Sequence, residues 1–191
     1  MNKRKTIFIP ATVIAIPILF FAFYKPSRVI APGLFGFIRI EEGLYLDEPQ
    51  RADEAHWLWA TALQDIEKEL GQFKRKPKII FCSEQKDFEK FGFKKSAARS
   101  VGPAGIVISP RAWKIYYIKH ELVHCWQTEN LGMINIYFYP RWLREGMAYS
   151  LSGDPRETLD EPWQTYRKEF NQWSEKIDKK NFLQEIKAIR K

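Results

Sequence analysis

Four residues of this sequence have the types and the spacing for metal chemistry. They are His120, Glu121 and His124 in the run His120-Glu121-Leu122-Val123-His124, and Glu145 in Trp142-Leu143-Arg144-Glu145-Gly146-Met147-Ala148. The first run lies in a stretch, Arg111 to Asn130, whose pattern predicts a helix. Helix positions i and i+4 stand one above the other, so His120 and His124 can offer two imidazole nitrogens to one tetrahedral zinc ion. Two ligands do not hold a catalytic metal; a third protein ligand and an open fourth position are needed. Glu145, on the next predicted helix, is the candidate for the third. Glu121 has a different role: its carboxylate can reach the metal-bound water, as a general base that later hands the proton to a leaving amine. Two ordinary helix histidines would produce the same five-residue run, and it is the Glu145 segment that argues against that reading. Gly146 and Ala148 are small, which would let the Glu145 helix approach the histidine helix closely.

His120 to His124 followed by Trp-Leu-x-Glu-Gly-x-Ala resembles the gluzincin branch of zinc metallopeptidases, the thermolysin-like and aminopeptidase-like enzymes. The resemblance implies that His120, His124 and Glu145 bind Zn2+ and that Glu121 is the catalytic base. It implies an α+β fold, a zincin-like metallopeptidase half-domain in which a small mixed sheet packs on the active-site helix and C-terminal helices follow. It also implies an activity, hydrolysis of peptide bonds in a peptide or protein substrate. The alternatives are a catalytically weak or inactive zinc-stabilised module that binds peptides or lipid, and a fortuitous motif in an interaction domain. Two departures from the family stand out. Large gluzincins carry a helical domain after the Glu motif that supplies a Tyr or His to the oxyanion, whereas here about forty-six residues follow Glu145. The thermolysin-like pattern places an Asp four residues beyond the Glu to orient the first His, and here that position is Tyr149. Tyr149 or Tyr166 could donate to the oxyanion, and both also read as core aromatics.

The elements that must position these residues form one domain. Phe37 to Ile40 and Leu44 to Leu46 predict a hairpin about the Glu41-Glu42-Gly43 turn. A helix follows, capped by Asp47 or Asp53 and stopped after Leu70 by Gly71. Lys78 to Cys82 and Gly105 to Ser109 read as strands, with a short helix from Glu84 to Phe91 between them, ended by Gly92. Ser109 and Pro110 predict a serine cap and a first-turn proline for the histidine helix. By the resemblance, Gly105 to Ser109 would be the sheet edge beside the cleft, where an extended peptide could add a strand, and Ala97 to Ala104 a loop shaping one wall. Met133 to Arg141 is apolar and aromatic, either a packed loop or a hydrophobic wall of the substrate pocket or a membrane-facing patch. Gly153, Asp154 and Pro155 break the Glu145 helix. Pro162 to Lys191 reads as one or two helices whose Trp163, Tyr166, Phe170 and Trp173 repeat at core spacing.

Residues 1–28 read as a membrane anchor or signal segment. Thr6 to Tyr24 holds 19 residues without a charge, about the length that crosses a ~30 Å hydrocarbon core. Phe20 to Tyr24 lacks the small residues a signal peptidase prefers, which favours the uncleaved anchor. Lys3, Arg4 and Lys5 predict a cytoplasmic N-terminus, hence a single-pass protein of the cell membrane with its catalytic domain outside the cytoplasm. Residues 29–36 read as a linker and residues 37–191 as the zinc metallopeptidase domain. The net charge of +8 resides at the two ends: five basic residues and no acidic ones in 1–28, six against two in 176–191, which leaves −1 between. A nearly neutral body without a recognisable motif gives no reason to expect a nucleic-acid partner. Cys82 and Cys125 fall on elements expected to pack together, as a disulfide or as two buried thiols. His56, in a Trp-rich helix, reads as packing rather than as a metal ligand.

Overall fold

Ile79, Ile80 and Phe81 are wholly buried because they form the middle strand of a sheet covered on both faces. The computed structural model describes residues 23–189. Its strands are β1 (Ile38–Glu41), β2 (Leu44–Leu46), β3 (Ile79–Phe81), β4 (Ala98–Ser100) and β5 (Ile106–Ile108), in the spatial order β1-β2-β3-β5-β4. β2, β3 and β5 run parallel, while β1 and β4 lie antiparallel at the two edges. The helices are α1 (Ala52–Leu70), α2 (Gln85–Glu89), α3 (Ile115–Leu131), α4 (Met147–Leu151), α5 (Trp163–Ser174) and α6 (Phe182–Ala188). The small mixed sheet with its several helices is compatible with an α+β class.

Alternation along the strands divides the core into two layers. Leu44, Leu46, Ile79, Phe81, Ile106 and Ile108 join the main core, to which α1 contributes Leu58, Ala62 and Ile66 and α3 contributes Ile118, Leu122 and Cys125. Ile80 and Val107 turn to the other face, against Val29, Phe37, Phe88 and Phe91. Val29 belongs to two 3-10 turns, Lys25–Ile30 and Pro32–Phe35, so the stretch read above as a linker packs on the back of the sheet. Lys78 Nζ secures it by donating to the carbonyls of Val29 and Ile30 at 2.9 and 2.7 Å. A Cβ on Gly105, at φ +141°, would stand 2.7 Å from the Lys78 carbonyl, so the entry into β5 requires glycine.

Several expectations are corrected. β5 is internal; the edge belongs to β4, in the stretch read as a loop. α3 begins at Ile115, after a 3-10 turn over Pro110–Ala112, and Ser109 Oγ caps nothing. Asp47 does not cap α1 either; it accepts from the Ser83 backbone N–H at 2.9 and 3.0 Å and ties the end of β2 to the end of β3. Cys82 and Cys125 are free and buried on opposite faces of the sheet, which separates the thiols. The expected span from Thr6 to Tyr24 lies, apart from Phe23 and Tyr24, outside the described residues. Among the described residues no helix is long and apolar enough to cross a membrane, so the single-pass placement in the cell membrane is not supported. The two longest, α1 and α3, carry charged residues along their length.

Candidate metal centre

α3 presents His120 and His124 on one face, with their Nε2 atoms 3.2 Å apart. Glu145 comes from a π-helical turn, Trp142–Gly146, rather than from the regular helix the sequence predicts. Such turns carry an extra residue and re-aim the side chains within them. Glu145 Oε2 lies 3.6 Å from His124 Nε2 and 3.8 Å from His120 Nε2. The point equidistant from these three atoms is about 2.1 Å from each, the length of Zn–N and Zn–O bonds. Two imidazoles and a carboxylate with this spacing could hold a metal ion.

Gln127 fixes the histidine tautomer. Its Nε2 donates to the Arg144 carbonyl at 3.0 Å and to Met147 Sδ at 3.4 Å, so its Oε1 is left to accept from His124 Nδ1 at 3.0 Å. Neutral His124 therefore carries its proton on Nδ1 and turns the Nε2 lone pair to the site; protonation adds the second proton at Nε2. The same buried amide bridges α3 to the π-helical turn, so one side chain orients a ligand and docks the element that carries another. Sequence reasoning missed Gln127, although its position three residues after His124 puts it on the same helix face.

The groups share protons unequally. Burial pushes the His120 imidazole down to about 3, and the charge on His124 pushes the same way. Burial also opposes a charge on His124, but the hydrogen bond that its imidazolium donates to Glu145 and the Glu121 and Glu145 charges raise it to about 8. Burial alone would raise Glu145; the hydrogen bond and charge of His124 override it and lower the carboxyl to about 2.

Glu121 is buried beside the ligands, and its Oε2 accepts from the Ser100 backbone N–H at 2.6 Å. Burial raises its carboxyl above the ordinary range, against the opposing His124 charge and the Ser100 N–H. The hydrogen bond joins the catalytic candidate to the edge of the sheet. On either side of β4, Ala97 O accepts from Ser109 N and Val101 N donates to Gly105 O, so alternate residues point inward to β5. Ala98 and Ser100 point their backbone groups outward, into a cleft of about 790 Å³ that also holds His120, Glu121, His124 and Glu145.

Tyr149 stands edge-on to His120, with ring centroids 4.5 Å apart. Burial raises the Tyr149 hydroxyl above its ordinary value, so it stays protonated and able to donate at neutral pH. Tyr166 is not brought to the site; it packs on Trp163, and its carbonyl faces Gly146. Gly146 thus makes room for α5 and not, as expected, for the histidine helix. His56 lies on the surface, paired with Glu41 Oε1 at 2.8 Å, away from the three ligands. Met133, Ile136 and Tyr137, from the apolar connection, line the cleft, while Ile134 and Phe138 are exposed beside it. Comparisons of the chain with known protein families, with characterised proteins and with solved structures return no match.

Proposed function

We propose that this chain is a zinc-dependent peptide hydrolase of gluzincin type, with a zincin-like arrangement of sheet edge and metal helix. The observation that carries the reading is the convergence of His120, His124 and Glu145 within bonding distance of one point, with Glu121 held beside them by the edge strand. Zinc bound by these ligands supplies a lowered water pKa, towards ~7, and polarisation of a substrate carbonyl.

The remaining steps belong to the chain. Ala98 N–H, Ala98 C=O and Ser100 C=O face the cleft and suit an extended peptide that adds a strand to β4. Glu121 takes a proton from the attacking water and passes it to the leaving amine, a transfer to which a buried carboxylate of raised pKa is suited. Tyr149, beside His120 and protonated, would be the donor to the oxyanion.

Glu121→Gln keeps the shape of the side chain and an acceptor for Ser100 N–H but removes the base. Zinc-loaded wild type should cleave members of a broad peptide library, and the variant should retain one zinc per chain while hydrolysis falls about 10²–10⁴-fold. Equal hydrolysis by the two proteins would exclude Glu121 as the base. Bound zinc with no product from the wild type would leave a peptide-binding module without turnover.

A further inference from the structure

The segment between α4 and α5 forms part of the cleft wall, and α5 fixes it. Arg167 Nη1 donates to the Arg156 carbonyl at 2.9 Å, and its Nη2 donates to the Glu157 carbonyl at 2.7 Å and to Gln164 Oε1 at 2.8 Å. Gln164 Oε1 also accepts from the Leu159 N–H at 3.1 Å. Asp154, its side chain 2% exposed, accepts from the Arg156 backbone N–H at 3.0 Å and from the Arg156 guanidinium through Nε at 2.9 Å and through Nη2. The pairing is fork to fork and occupies one edge of the guanidinium.

The Nη1 edge is not used by Asp154, and the Arg156 side chain remains 46% exposed where it lines the cleft. Its Cζ is 6.0 Å from the Tyr149 ring centroid, which is 4.5 Å from that of His120. One aromatic ring therefore separates the charge from a metal ligand. An extended peptide covers that distance in about three residues at ~3.3 Å each. Five basic side chains (Lys95, Arg99, Arg111, Arg144 and Arg156) line the cleft, and of the four acidic ones Glu121 and Glu145 belong to the metal centre. A bound dication makes the cleft more positive still. A guanidinium whose orientation is already set by Asp154, and by a hydrogen bond to the Tyr149 side chain, suits a carboxylate at its exposed face and loses little entropy on binding it.

We propose that Arg156 reads a carboxylate on the bound peptide, within about three residues of the metal centre. That carboxylate is either the C-terminus of the peptide or an Asp or Glu side chain. The proposal rests on the reading of the cleft as a peptide site.

The full chain carrying Glu121→Gln, zinc-loaded and immobilised, is offered three pools of randomised heptapeptides. One has a free C-terminus and lacks Asp and Glu; one is C-terminally amidated and contains them; one is amidated and lacks them. Retention of the first or second pool about tenfold or more above the third is expected, the factor typical of a charged hydrogen bond. The favoured pool identifies the source of the carboxylate. Adding Arg156→Gln should erase the preference without changing retention of the third pool, and Arg156→Lys, which keeps the charge without the fork, should restore part of it. Equal retention of all three pools, retention of none, or a preference that survives Arg156→Gln overturns the proposal. The comparison of pools on the Arg156-intact chain holds even if a variant misfolds. Hydrolysis by the wild type is scored separately. A carboxylate preference without hydrolysis removes the hydrolase reading alone, and hydrolysis without the preference removes the role of Arg156 alone.

Discussion

A Cβ placed on Gly146 would stand 2.1 Å from the carbonyl oxygen of Tyr166 and 2.9 Å from Phe170 Cβ. The contact puts the backbone of α5 directly against the turn that carries Glu145, and the aromatic face of α5 then closes the core through Phe170 and Trp173. The candidate metal site and the core packing meet at this glycine.

Gly146→Ala should therefore act on both. A backbone carbonyl cannot swing aside as a flexible side chain can, so α5 or the π-helical turn must shift. The expected cost is about 1–3 kcal/mol or more in chemical denaturation, together with weaker zinc binding because Glu145 is the adjacent residue. Unchanged stability and unchanged zinc affinity in the variant would show that the close approach is not needed.

Gln127→Ala separates orientation from ligation. It leaves three ligands in place but removes the acceptor for His124 Nδ1 and the donor to the Arg144 carbonyl. Zinc affinity, measured by competition with a chelating dye, should fall about 10–100-fold, the usual effect of removing a group that orients a ligand. Glu145→Ala, which removes a ligand, should cost more than that. If the two variants bind zinc as tightly as the wild type, the metal centre as described is wrong.

Proton competition gives a third expectation. His124 titrates near 8 and His120 near 3, so at pH 7 the site holds about one proton that zinc must displace from His124. Apparent zinc affinity should rise about tenfold per pH unit from pH 6 and level off above pH 8. Calorimetry in two buffers of different ionisation enthalpy should count about one proton released at pH 7 and fewer at pH 9. Affinity that does not change between pH 6 and 8 would contradict the proton sharing. Folding of the zinc-free chain follows the same shifts. A raised His124 stabilises at low pH and loses that contribution as pH rises from about 6.5 through about 8; a depressed His120 costs stability as pH falls below about 6.5.

How much of this was legible depended on the range of the interactions. His120 and His124 were readable as a pair because i and i+4 adjacency is local, and the stop of α1 at Gly71 is local too. The edge strand was not readable. Ala98-Arg99-Ser100 is three residues without apolar alternation, and it becomes a strand only because the chain turns back at Gly102 to pair it with β5. Ser109-Pro110 misled because a serine before a proline also opens a 3-10 turn; here Trp113 Nε1 donates to the Cys82 carbonyl, and the helix starts only after that anchor. The π-helical turn is likewise tertiary in origin, since the Arg144 carbonyl within it is taken by Gln127 from another helix.

Ser100 carries the last expectation. Its N–H points away from β5 and donates to Glu121 Oε2 at 2.6 Å, so replacing it with proline removes no bond of the sheet ladder. Proline is tolerated at an edge strand when the missing donor faces outward, and the extended Arg99 before it is the conformation that a following proline favours. Ser100→Pro should accordingly fold and keep its zinc. The lost donor had favoured the ionised carboxyl of Glu121, so the Glu121 pKa, already raised by burial, should rise further. The acid limb of the pH–rate profile then moves to higher pH, and hydrolysis at neutral pH drops about 10–100-fold, the factor for one charged hydrogen bond. Ser100→Ala keeps the N–H but removes the hydroxyl, which also hydrogen-bonds Glu121 and favours its ionised form, so it should shift the profile the same way and by less. A Ser100→Pro protein with normal zinc content, rate and pH profile would mean that the edge strand does not position the base.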